Sequence, residues 1–126
     1  MTLRTVAAAA VLVSAGIHLK LWLDGMRDVH VIGPAFLLNV SAGLMITALL
    51  VTWHHWLAPL LAAGFGAATL GGFLIAVTVG LFGDHEKWQG PYVFAAAAVE
   101  LVALLTGLAA AASERRTTPV RVSSTA

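Results

Sequence analysis

Cysteine is absent from the 126 residues. That excludes disulfides, thiolate metal sites and cysteine redox chemistry, while leaving the compartment open. Charge is scarce as well: Asp, Glu, Lys and Arg make up 10% of the chain, against about 25% in ordinary soluble domains. The formal net charge is +1 and no basic block interrupts the sequence, so nothing points to nucleic acid. P-loop, nucleophile-elbow, Rossmann glycine and zincin patterns are all missing. No stretch between the apolar runs is long enough for a separate soluble domain. What the chain has instead is apolar mass, with 60% hydrophobic residues and a mean hydropathy of +0.91. A soluble protein of this composition lacks the polar groups to cover its surface, so the class is integral membrane.

Four apolar runs are each long enough to cross a bilayer, which takes about 20 residues. They cover about residues 3–23, 31–53, 56–82 and 91–112. Backbone groups in lipid must be satisfied within the segment, and the alternating runs of a barrel are absent, so the expected fold is all-α, a polytopic four-helix transmembrane bundle with short loops. The first run is longer than a signal-peptide core and ends in His-Leu-Lys-Leu-Trp rather than a small-residue cleavage site; it reads as a retained helix. Trp22, Trp53, Trp56, Trp88 and Tyr92 lie at run ends, the placement of an interfacial aromatic belt. Pro34 and Pro59 fall in first helical turns, where the missing N–H costs little. The polar stretch 113–126 has no periodicity and reads as a disordered tail.

Orientation rests on Lys and Arg near the membrane ends. Arg4, Arg115, Arg116 and Arg121 share one side, and Lys20, Arg27 and Lys87 the other, a bias that puts both termini in the cytoplasm. Packing in lipid depends on small residues and polar contacts. Gly64, Ala68, Gly72, Ala76 and Gly80 form a small-residue stripe on the third span, expected to be a helix-packing face. Asn39, Gly43 and Thr47 on the second, and Ala10, Ser14 and His18 on the first, form further faces expected to point inward.

Glu100 sits near the centre of the fourth run, where a carboxylate costs at least ~2.5 kcal/mol on insertion scales. Helical rise puts Glu100 ~13 Å and His18 ~7–8 Å from the membrane side opposite the termini, with Asn39 in the same half. The three are expected to converge on one polar pocket, rimmed by Lys20, Arg27, His30, Asp84 and His85. Three roles fit that set. The residues can satisfy one another and fix helix register. They can form a ligand-binding or proton-handling site for a cation, a proton or a quinone-like head group. Or Glu100 and His18 can serve as general acid and base on a lipophilic substrate.

Metal chemistry has thin support. His54 and His55 are adjacent and so face different sides of a helix, and bis-histidine haem needs a second in-membrane histidine beside His18. His30, Asp84, His85 and Glu86 offer ligand types for zinc or iron, but the same residues suit a solvated interface. No metal ligand set or cofactor is assigned.

Ser14-Ala15-Gly16-Ile17-His18-Leu19, Trp22-Leu23-Asp24-Gly25-Met26-Arg27 and Ile32-Gly33-Pro34-Ala35-Phe36-Leu37-Leu38-Asn39 resemble a pattern in small four-helix membrane proteins of actinobacteria, and the architecture resembles the DoxX-like bundles. The likeness covers roughly residues 10–50. It implies a bacterial plasma-membrane protein and an association with redox homeostasis, which in a chain without cysteine requires a partner or cofactor. The expected role is an accessory, binding or transport element of the bilayer, with a membrane-embedded enzyme or redox partner and a structural assembly factor as alternatives. Other membrane proteins and self-association stay open as partners.

Overall fold

The computed structural model describes residues 2–78 and 91–117. They form four helices: α1 (Leu3–Leu23), α2 (Ile32–Thr52), α3 (Leu57–Thr78) and α4 (Pro91–Thr117), with one 3₁₀ turn, Met26–Asp28, between α1 and α2. All four are long and apolar enough to cross a membrane. The fold is an all-α four-helix bundle, that of a multi-pass membrane protein. Expected and observed limits of α1 and α2 agree within a residue.

Local chemistry sets the ends. Thr2 caps α1, its hydroxyl accepting from the Thr5 amide at 3.1 Å, the usual role of an N-cap side chain. Between α1 and α2 the backbone turns through Gly25 at φ 139° and Val31 at φ 68°. Positive φ is natural for glycine and strained for a β-branched residue, so the entry to α2 is held against local preference.

Three of the helix seams are tightly packed: α1 with α2, α1 with α4, and α3 with α4. Their core is built mostly from alanine, including Ala7, Ala10, Ala58, Ala62 and Ala103 around Val11, Leu50 and Phe65. Small side chains let backbones approach, which is what favours association where lipid removes any hydrophobic drive. The α3–α4 seam takes this furthest. A methyl group added at Gly66 would lie 2.5 Å from the Glu100 carbonyl oxygen, and one at Gly107 would lie 2.6 Å from that of Pro59. Gly66 therefore sets how closely the Glu100 backbone approaches α3.

The α2–α3 seam is different, meeting far less extensively than the other three although a short turn joins the two helices. The small-residue stripe is not the expected helix-packing face at two of its positions: Gly64 and Gly72 have open space where a side chain would stand. Phe65 gives the physical reason. Its ring reaches Gly43 on α2 (3.4 Å from an added Cβ), placing a phenyl group where direct backbone contact would otherwise form. Ala76 lies in α3, and Gly80 lies outside the described residues.

At the end holding both termini, Arg4 donates to the carbonyl oxygens of Leu50 (2.8 Å), Trp53 (3.0 Å) and His55 (2.9 Å), and to Glu114 Oε1 (2.7 Å). These carbonyls belong to the C-terminal end of α2 and the turn after it, where oxygens lack intrahelical partners. One guanidinium thus joins α1, α2, the α2–α3 turn and α4. Arg115 lies over the Trp56 ring at 5.2 Å. The two contacts correct the expectation of a disordered tail from 113: residues 113–117 continue α4. Tertiary partners hold the last turn, and Arg115 and Arg116 suit the negative end of the helix dipole. Residues 118–126 lie outside the described residues.

Candidate functional site

Ser14 and His18 are one helical turn apart on α1, which stacks them on one face. Glu100 on α4 meets that face. The three are buried, with 0%, 8% and 1% exposure respectively. Ser14 Oγ donates to Glu100 Oε1 at 3.0 Å. His18 Nδ1 lies 2.8 Å from the Ser14 carbonyl oxygen, to which it donates, and its ring tilts against Phe36 at 5.1 Å between centroids. His18 Nε2 stands 3.7 Å from Glu100 Oε1, close enough for electrostatic coupling and too far for a hydrogen bond.

Asn39 is not bonded to this triad. Its side-chain nitrogen donates across the α2–α3 seam to Thr69 Oγ1 at 2.9 Å, and Thr69 donates in turn to the Phe65 carbonyl at 2.8 Å. Asn39 Oδ1 is buried and has no hydrogen-bond partner among the described residues.

A cavity connects the two groups. It occupies about 620 Å³ in the open α2–α3 seam, with His18 and Glu100 on its inner wall and Asn39 and Thr69 along its side. That is within the ~300–1,000 Å³ of small-molecule sites. The remaining wall is apolar: Phe36, Ala42 and Ile46 on α2 face Gly64, Phe65, Ala68, Gly72 and Phe73 on α3. From Ile32 to Ile46 it follows α2 for about four turns, ~21 Å by helical rise. It is therefore an elongated cleft with its polar groups toward the side opposite the termini. The described small-residue stripe belongs to this cleft.

The expected convergence of His18, Asn39 and Glu100 is met in part. All three line one cavity, but in two separate hydrogen-bond groups. The expected rim is not formed by its described members. Lys20 pairs with Asp24 at 2.7 Å on an exposed face, Arg27 lies 3.8 Å from Asp28 with both side chains exposed, and His30 is exposed. At that end the wall is Leu21, Met26 and Ile32. Asp84 and His85 lie outside the described residues.

Thr69 and Phe36 are site residues that the sequence did not single out. The hydroxyl signal is weak because spanning helices use it routinely. Ser41, Thr47, Thr52 and Thr106 each donate to the carbonyl four residues earlier, which satisfies a hydroxyl within its own helix. Thr69 does the same and also accepts from another helix, a difference with no sequence marker.

No protein-family model, curated protein or solved structure matches this chain.

Proposed function

We propose that this protein is a membrane-embedded binding element for a lipophilic small molecule, which lies in the α2–α3 cleft with its polar end at His18, Asn39 and Glu100. The observation that carries the reading is that an apolar cleft meets His18 and Glu100, two members of a buried cluster with Ser14, in one cavity. Magnitudes favour a site over a register lock. A carboxylate at mid-membrane costs at least ~2.5 kcal/mol, whereas an interhelical hydrogen bond in a membrane protein contributes ~0.6 kcal/mol on average. Ser14 gives Glu100 one such bond and His18 gives none, so the cluster costs more than it returns. A lock also has no use for the space beside it. Both termini in the cytoplasm, a bacterial plasma membrane and a DoxX-like relationship are part of the same proposal.

A second reading, acid–base chemistry on the bound molecule, draws on the 3.7 Å approach of His18 Nε2 to Glu100 Oε1 at the cavity wall. It needs the same ligand to be held first.

The test is extraction of the purified protein with organic solvent, followed by mass spectrometry of what co-purifies. Wild type is expected to carry a lipophilic molecule at near-stoichiometric level. His18→Ala loses it. Glu100→Gln folds with unchanged helicity, because Gln still accepts from Ser14, and carries less of it. An empty wild-type preparation overturns the reading, as does a Glu100→Gln chain that fails to insert, which would make the cluster a structural lock.

A further inference from the structure

The hydrogen-bond relays around the cleft fix which of its polar atoms donate and which accept. Thr69 has a single hydroxyl proton, and it is given to the Phe65 carbonyl. Its oxygen can therefore only accept from Asn39, so the Asn39 group 2.9 Å away is the amide nitrogen. Asn39 Oδ1 is left as the buried acceptor without a partner. His18 obeys the same logic. The Ser14 carbonyl carries no proton, so Nδ1, at 2.8 Å, carries it; in a neutral imidazole Nε2 is then a lone-pair acceptor. Ser14 donates its hydroxyl to Glu100 Oε1, which makes that oxygen an acceptor too. Two of these relays end on a helix carbonyl that can only accept, Phe65 for Thr69–Asn39 and Ser14 for His18, which leaves the outer atom of Asn39 and of His18, both residues of the cavity lining, as an acceptor.

We infer that the cleft selects lipophilic molecules whose head donates hydrogen bonds, a hydroxyl or an amine, over those whose head only accepts, such as an ether, ketone or ester. The inference rests on the binding reading above and narrows it. A donor head that reaches Asn39 Oδ1 satisfies a buried acceptor with no hydrogen-bond partner among the described residues, and one at His18 Nε2 relieves a nitrogen that faces the acceptor oxygen of Glu100 at 3.7 Å. An acceptor-only head leaves them unpaired and adds lone-pair repulsion. The tail runs along the apolar walls from Asn39 and Thr69 toward Ile46 and Gly64.

The test places the full chain in nanodiscs of phosphatidylcholine, whose head group has no N–H or O–H to compete. Dodecan-1-ol and dodecyl methyl ether, matched in chain length, are added at equal mole fraction and occupancy is counted by native mass spectrometry. The alcohol is expected to bind about tenfold more tightly, the order given by one or two buried hydrogen bonds. Asn39→Leu brings the alcohol down toward the ether and leaves the ether unchanged; Thr69 stays satisfied by Phe65 in that variant. Equal binding of the two probes to wild type overturns the donor selection while leaving a lipophile site intact. Binding of neither removes the site itself. The wild-type comparison decides both points even if Asn39→Leu does not fold.

Discussion

The two ends of the bundle solve different problems with similar material. At the terminal end, one arginine collects four oxygens from three parts of the chain, and alanine faces bring backbones together. Toward the other end, α2 and α3 separate around a cleft, and the buried polar groups there exceed what their own bonds return. The difference teaches where each kind of residue acts. Small residues pack helices at Gly66 and Gly107 but line open space at Gly64 and Gly72. Polar residues close the structure at Arg4 and leave acceptors free at Asn39. The terminal end and the α3–α4 seam carry the stability, and the cleft is left available to a ligand.

The largest effect expected to break this division is at Gly107. A side chain there meets the Pro59 carbonyl at 2.6 Å and the Ala63 nitrogen at 2.7 Å, both backbone atoms of a packed helix that have no rotamer to change. Gly107→Leu is expected to cost about 3 kcal/mol, the upper range for overpacking, read as a lower midpoint in an SDS unfolding titration. Arg4→Ala comes next, at about 2 kcal/mol. It removes the bond to Glu114 and leaves three carbonyls whose bonds were charge-assisted, and the Arg4 and Glu114 side chains are 16% and 32% exposed, so solvent repairs part of the loss. Proteolysis of the α2–α3 turn and of residues 113–117 should rise in that variant. If Arg4→Ala is as stable as wild type, the terminal end is not the clamp.

How much of this is legible in the sequence depends on the range of the interactions involved. The spans are legible because apolar length is a local property. So is the shared membrane half of His18, Asn39 and Glu100, which needs only helical rise and topology. The extension of α4 is not, because Arg4 and Glu114 are 110 positions apart and nothing in either neighbourhood names the other. The partner of Asn39 is hidden for a similar reason, since a threonine in a spanning helix is ordinarily self-satisfied. The stripe on α3 is the most instructive case. Gly64, Ala68 and Gly72 at fourfold spacing specify a smooth face, and a smooth face suits a neighbouring helix and a ligand equally. Phe65, one residue from Gly64 and on a different face, decides between them by reaching Gly43.

That ambiguity yields the smallest expected change in stability and the sharpest test of the comparison. Gly72 has no atom within 4 Å of where its Cβ would stand, and it lines the cleft. If the stripe were a packing face, Gly72→Leu would clash with a helix and cost as much as Gly107→Leu. If it lines a cavity, leucine enters free space, and replacing a mid-helix glycine gains up to ~1 kcal/mol in helix propensity. The expected outcome is an SDS midpoint equal to or slightly above wild type, together with loss of the co-purifying molecule because the side chain now occupies its place. The same substitution placed at two glycines on one interface-prone chain thus gives opposite results. A Gly72→Leu protein that unfolds early would mean that α2 and α3 close on one another and that the cleft is not a standing feature of the fold.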